Sequence, residues 1–172
     1  AVTGVQTCAL PIFRVTHMTQ ARFEGKAAII TGGSGGIGSA IAAAFIDEGA
    51  MVGVIDTNQE TLDKSVSALV ARGGKAHGLV VDVRNHEAVN EAISTFATNF
   101  GRIDILVAAA GGSLGTPRDL DQITEEDIDL VLDVNVKGTF NCARAVIPYM
   151  KKVNGGAIVT FSSIGGRGAS PV

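Results

Sequence analysis

Cysteine is scarce in this 172-residue chain, and Cys8 and Cys142 supply neither a disulfide framework nor metal-ligand spacing. His17, His77 and His86 are scattered, with no cysteine or carboxylate at ligand spacing, so no metal site is expected. Charge is equally thin. Lys, Arg, Asp and Glu make up 18 % of the residues with a net charge of -3, which leaves no basic footprint for nucleic acid. Long apolar runs are missing too, because Gly or a charged residue interrupts every stretch before membrane-spanning length. These absences point to a cytoplasmic protein with neither a nucleic-acid nor a membrane partner. Glycine, by contrast, is abundant: the 22 glycines are clustered, as in loops where backbone must approach something closely. A hydrophobic fraction of 46 % and a mean hydropathy of +0.31 suit one globular domain with a real core.

Residues 1–17 (AVTGVQTCALPIFRVTH) fit nothing that follows. They lack the basic segment and apolar core of a signal peptide. Residues 2–12 resemble the conceptual translation of a sequencing-library adapter, in which case natural sequence begins near Met18. The alternative is an ordinary disordered tail. On either reading Cys8 and Pro11 carry no functional expectation, and one domain is expected over residues 18–172.

From Lys26 the pattern is regular. Residues 26–30 (KAAII) form a short apolar run ending in a Gly cluster, as a buried parallel strand would. Residues 37–48 carry apolar side chains at helical spacing and stop at Gly49. Further strands are expected at 50–55, 76–81, 103–108 and 157–161, with helices at 58–72 and 85–100. Thr124 caps a last helical region, 125–152, with a bend near 135–138, and Asp127 supports its first turn. Strands alternating with helices at this rhythm predict βαβ units in an α/β, doubly wound parallel sheet, a Rossmann fold incomplete at its C-terminal end.

Between the first strand and first helix lies Thr31-Gly-Gly-Ser-Gly-Gly-Ile-Gly38. A helix N-terminus offers unpaired N–H groups and a positive dipole end, which suits a pyrophosphate. The glycines let the backbone turn sharply, approach the phosphates and pack helix on strand. Gly32, Ser34, Gly36, Ile37 and Gly38 are therefore expected to bind cofactor. No Lys-Ser/Thr ending follows, which argues against a P-loop. Asp56 stands eighteen residues beyond Gly38, just past the second strand, where a carboxylate accepts bonds from ribose hydroxyls. It would repel a 2′-phosphate, and no Arg or Lys lies in the loop or just after it, so NAD is favoured over NADP. Taken alone, Asp56 also makes good turn chemistry with Thr57 and Asn58.

From about Phe23 onward the chain resembles the short-chain dehydrogenase/reductase family, including its 3-oxoacyl carrier-protein reductase and alcohol dehydrogenase-like members. Thr31, Gly32, Gly36 and Gly38 match the family's TGxxxGxG. Asp82 and Val83 match its Asp-Val, which looks onto the adenine ring, and Asp104 matches its Asp before the fourth strand. Where the family usually has Asn-Asn-Ala-Gly, this chain has Ala108-Ala109-Ala110-Gly111, so packing in the central sheet is expected to differ. Ala109, Ala110 and Gly111 still permit close approach to the nicotinamide side. Asn135, within NVKGTF, matches the catalytic Asn that holds a relay water, and Ser163 in IVTFSSIGG matches the catalytic Ser that bonds the substrate oxygen. The family's Tyr-x-x-x-Lys pair would follow Ser163 by about thirteen residues, beyond Val172. Tyr149, the sole tyrosine, lies before the fifth strand with Val153 four places on, and reads as a packing residue.

The resemblance thus implies hydride transfer between NAD and a small alcohol or ketone, in a homo-oligomer when full length, with this chain inactive by itself. The alternatives are a non-catalytic dinucleotide-binding module, or a polypeptide that folds poorly because an apolar edge is left uncovered. Glu125, Glu126 and Asp127 read as a solvated first turn, and Cys142 as a core residue.

Overall fold

A computed structural model describes residues 21–117 and 119–163. The 1–17 tail and the segment after Ser163 lie outside the described residues. Five parallel strands form one sheet: β1 (Ala27–Thr31), β2 (Met51–Asp56), β3 (Ala76–Val80), β4 (Ile105–Ala108) and β5 (Ala157–Thr160), in the order β3-β2-β1-β4-β5. Helices α1 (Gly36–Asp47), α2 (Gln59–Ala71) and α3 (His86–Phe100) connect the first four strands in turn. Helices α4 (Glu125–Leu132) and α5 (Thr139–Lys152) lie between β4 and β5, joined by a π-helical stretch at Asp133–Gly138. The doubly wound sheet expected from the alternation is therefore present.

Side chains of β1 alternate between two cores, as the two-residue period of a strand demands. Ala27 and Ile29 face a cluster with Phe96 of α3 and Val146 of α5, while Ala28 and Ile30 face Ala42 and Ile46 of α1 and Leu62 and Leu69 of α2. Every residue of β1 is buried, which is why its sequence reads as a continuous apolar run. β5, at the other extreme, is exposed along its whole length and forms the edge of the described sheet.

Element ends follow local chemistry. Asn58 and Asn85 cap α2 and α3 by accepting from Thr61 N and Ala88 N, so they flank the helices that the periodicity placed them inside. Gly101 ends α3 in the left-handed conformation. Thr124 and Asp127 form a complete capping box on α4. Thr31, left outside the first strand by its polarity, pairs with both Ile55 and Ala108 and belongs to β1. The fourth strand begins at Ile105, two residues later than expected, because the residue before it is used as a tie. The Asp104 carboxylate accepts from Ala27 N (3.0 Å), Lys26 Nζ (3.3 Å) and Arg102 Nε (2.7 Å), fastening the entry of β4 to that of β1.

β1 has β2 on one side and β4 on the other, so the chain reverses its direction of travel across the sheet between these two strands. A crevice opens outside the carboxyl ends of the strands at such a switch point, where neighbouring connections leave toward opposite faces. The candidate site lies there.

Candidate functional site

The crevice encloses about 720 Å³, within the range of small-molecule and cofactor sites. Its floor is the β1–α1 turn. Gly32 has φ +63, and a Cβ there would stand 2.9 Å from the backbone of Ala109 and Ala110, so two loops pass main chain to main chain. A Cβ on Gly38 would lie 2.2 Å from the Gly32 carbonyl oxygen, so this glycine lets α1 close onto the turn. Gly36 differs from both. Beyond its own stretch of helix no atom lies within 4 Å of where its Cβ would be, and its φ is not left-handed, so packing against the rest of the described protein does not call for glycine there. Room in the crevice does. α1 also begins without a side-chain cap, which leaves the N–H groups of its first turn open to an anion. A pyrophosphate fits a cradle of this kind.

Asp56 closes one side. Its Oδ2 accepts from Ser34 N at 3.1 Å and its Oδ1 from Thr57 N at 2.8 Å. The carboxylate thus pins the glycine turn to the end of β2, and each oxygen keeps an acceptor position for a hydroxyl. Ser34 contributes its backbone only, since its hydroxyl turns to Thr61 Oγ1 at 3.2 Å and the residue does not line the crevice.

Asp82, Val83 and Arg84 form the far wall. Arg84 forks across the Asp82 carboxylate (Nε to Oδ2 2.8 Å, Nη2 to Oδ2 2.6 Å), and its bonds hold the Asp82 carboxyl below the usual carboxylate range against the opposing push of burial. The buried Asn141 of α5 donates to the carbonyls of Val83 (2.9 Å) and Arg84 (3.3 Å), fixing this wall to the helix behind it.

The loop after β4 supplies Ala109, Ala110 and Gly111. In place of asparagine ties, the buried Thr31 hydroxyl accepts from Ala110 N at 3.1 Å. Asn135 clamps the next residue: its Oδ1 accepts from Gly112 N (2.8 Å), and its Nδ2 donates to the carbonyls of Gly112 (3.0 Å) and Val131 (2.9 Å). A Cβ on Gly111 would sit 2.3 Å from that Oδ1. The bend expected near 135–138 is the π-helical stretch Asp133–Gly138. Gly138 packs so close to Val83 that a Cβ would come within 2.5 Å of Cγ2, and widening the helix lets it meet Val83 while Asn135 meets Gly112. Ser163 is exposed three residues past β5, whose pairing of Thr160 with Ala108 brings the chain out beside the Ala109 loop.

The structure therefore gathers Gly32, Gly36, Ile37, Gly38, Asp56, Asp82, Val83, Ala109, Ala110 and Gly111 around one crevice, while Asn135 acts on it through Gly112. Sequence reasoning missed Arg84 and Asn141, and it placed Thr31 in the glycine motif without the bond that its hydroxyl accepts from Ala110 N. Asn141 left a faint signal, as a polar residue between Phe140 and Cys142 ahead of an apolar helical face. Cys142 is buried, and burial pushes its thiol up to about 12, which is the environment of a core residue. Tyr149 packs against the same core with Lys152 Nζ 5.1 Å from its ring centroid. Among the described residues there is no cluster that could hold a metal, and no helix is long and apolar enough to cross a membrane.

A glycine turn at a helix N-terminus, an acid at the end of the second strand and a switch-point crevice define a Rossmann-like fold, whose crevice is where dinucleotides bind in proteins of this architecture. Comparison with known proteins narrows this. The family described as short chain dehydrogenase matches residues 26–172. The 3-oxoacyl-[acyl-carrier-protein] reductase FabG of Thermotoga maritima is 40 % identical over 152 residues, 87 % of this chain and 60 % of that protein. The 2,3-dihydro-2,3-dihydroxybenzoate dehydrogenase of Bacillus subtilis is 39 % identical over 140 residues, 81 % of this chain and 53 % of that protein. The crystal structure of an NAD+-bound xylitol dehydrogenase superposes with a TM-score of 0.83 at 33 % identity, covering 87 % of this chain and 57 % of that one. The chain belongs to the short-chain dehydrogenase family and spans between half and two thirds of the length of these relatives.

Proposed function

We propose that the chain is the cofactor-binding part of an NAD-dependent oxidoreductase that passes a hydride between the nicotinamide and a small alcohol or ketone. Asp56 carries the choice of cofactor. Its carboxylate is held rigidly by two backbone N–H groups, keeps one acceptor position per oxygen for the ribose hydroxyls, and would repel a 2′-phosphate. The residues after it, Thr57 to Gln59, include no cation to reverse that preference.

When bound, the nicotinamide supplies or accepts the hydride. This chain's residues bind and orient. The first turn of α1 takes the pyrophosphate, Asp56 the adenosine ribose, and Asp82 with Val83 the adenine. Ala109 to Gly111 give the nicotinamide end a close main-chain approach. Ser163 hydrogen-bonds the substrate oxygen and stabilises charge developing there. Asn135 keeps one acceptor position on Oδ1 for a relay water, its remaining capacity holding the Gly112 loop. A tyrosine–lysine pair beyond residue 172 is the acid–base group of this proposal. Residues 1–172 are then expected to bind cofactor without turnover, and to self-associate through the outward face of α5, where Phe140 is 71 % exposed.

A second reading, a non-catalytic dinucleotide-binding module, is favoured by the clamp geometry of Asn135, whose amide serves the loop first. One titration tests the cofactor claim. NADH fluorescence should saturate with the full chain, with NADPH at least tenfold weaker, and Asp56→Ala should lose NADH affinity about tenfold and most of that preference. Equal binding of the two cofactors, or an Asp56→Ala variant indistinguishable from wild type, would overturn it. Turnover after extension past residue 172 separates enzyme from binding module.

A further inference from the structure

The described chain holds five arginines, and four of them fork onto or bridge to a carboxylate: Arg22 to Glu48, Arg72 to Asp47, Arg84 to Asp82 and Arg102 to Asp104. Arg144 is the exception. Its Nη2 lies 2.8 Å from His86 Nδ1, and among the described residues no carboxylate pairs with it. A guanidinium has only donors, so in this contact the imidazole nitrogen is the acceptor. The positive charge of Arg144 therefore has no acidic partner among the described residues.

Its surroundings make a recess rather than a bare surface. On the outside of the molecule, away from the crevice, the start of α3 and the second half of α5 enclose about 460 Å³ between His86, Asn90, Arg144, Pro148, Tyr149 and Lys152. Asn90 Nδ2 stands 3.1 Å from the His86 ring nitrogens, and Lys152 Nζ lies 5.1 Å from the Tyr149 ring centroid. Two cationic residues, an amide and a tyrosine thus line the recess, and no Asp or Glu does. Glu87 shares the first turn of α3 but does not line it. In a chain whose net charge is -3, a concave site with two cations and no acid is an uncommon local balance. The dipole at the start of α3 adds to it.

We infer that this recess is a second, non-catalytic binding site for a small oxyanion of the phosphate monoester class, with Arg144 as its fork and Lys152 as a second point charge. Arg144 presents a planar pair of donors suited to two phosphate oxygens, which a lysine cannot reproduce. Tyr149, half-buried and flanked by Pro148, offers an apolar wall to the esterified group. The recess shares no lining residue with the cofactor crevice, but it shares α5 with the self-association face proposed above, Arg144 lying one turn beyond Phe140.

The test is a titration of the full chain with phenyl phosphate and with inorganic phosphate, read by the NMR shifts of the His86 ring protons. Wild type should saturate at millimolar or lower phenyl phosphate. Arg144→Gln, an exposed change that leaves the core untouched, should weaken it at least tenfold, and Lys75→Gln, a distant surface cation, should not. NADH fluorescence serves as the folding control and should be alike in all three proteins; if NADH does not bind, circular dichroism takes that place. Shifts that never saturate, or that are equal in wild type and Arg144→Gln, would mean an adventitious ion only and overturn the inference. So would a concentration-dependent dimer abolished by Arg144→Gln without any phosphate binding, since a carboxylate of a second copy would then be the true partner.

Discussion

Two glycines of the same turn should fail in opposite ways. At Gly38 an added Cβ would come 2.2 Å from the Gly32 carbonyl oxygen and 2.8 Å from its carbonyl carbon, both main-chain atoms without a rotamer to relieve them. Restoring an ordinary contact of about 3.4 Å moves the start of α1 roughly 1 Å off the turn and loosens Ala42 and Ile46 from the sheet. Overpacking of this kind costs about 1–3 kcal/mol. At Gly36 the added Cβ meets nothing within 4 Å and the backbone is not left-handed. Gly36→Ala should therefore match wild type in stability or gain up to about 1 kcal/mol from improved helix propensity. Its Cβ would fill the space offered to the pyrophosphate, so NADH should bind at least tenfold more weakly, about 1.4 kcal/mol. Urea unfolding with unchanged slope measures the first quantity and NADH fluorescence the second. Gly36→Ala as unstable as Gly38→Ala, or binding NADH like wild type, would refute the assignment of open space to a ligand.

Asp104→Ala should destabilise by about 2–4 kcal/mol, because it strands the Ala27 N–H and the Arg102 charge; an unchanged urea midpoint would show that the tie is dispensable. Burial pushes the Asp104 carboxyl up, but its bonds from Arg102, Ala27 N–H and Lys26 outweigh that and lower it. Its contribution is therefore present above the ordinary carboxylate range and lost as pH falls through the lowered value, so wild type should lose more stability than Asp104→Asn on acidification. Cys142, raised to about 12 from 9.0, contributes in the opposite sense: its stabilisation is complete below pH 9 and fades as pH climbs toward 12. Cys142→Ala should accordingly lose less stability than wild type between pH 9 and 11, and thiol labelling mapped to Cys142 should require unfolding. Asn141→Leu should leave the Val83 and Arg84 carbonyls unpaired, cost about 1–3 kcal/mol, and weaken binding of ADP-ribose more than that of nicotinamide mononucleotide. An equal effect on both ligands would remove the link from α5 to the adenine wall.

Read alone, the sequence determined the elements and their alternation. Apolar runs of strand length end in Gly or Asp, helical periods end at Gly49 and Gly101, and Thr124 opens its helix with an acid three residues on. These are local signals: the period of a strand or helix, a cap and a left-handed glycine act within a few residues and leave their mark in the residue order. The glycine turn and Asp56 were legible for the same reason, since each is tied to the end of one strand. Tertiary structure alone decided how distant pieces share hydrogen bonds. Asn135 reaches Gly112 across 23 residues, Asp56 reaches Ser34 across 22, and Asn141 reaches Val83 across 58. Thr31, a strand residue by pairing, becomes a site residue because its hydroxyl meets Ala110 across 79. None of these partners has a periodicity, because a hydrogen bond between remote residues depends on where two segments are brought by the sheet order. That order, β3-β2-β1-β4-β5, puts β1 at the centre with both faces buried, a property of the packed chain and not of any window of its sequence.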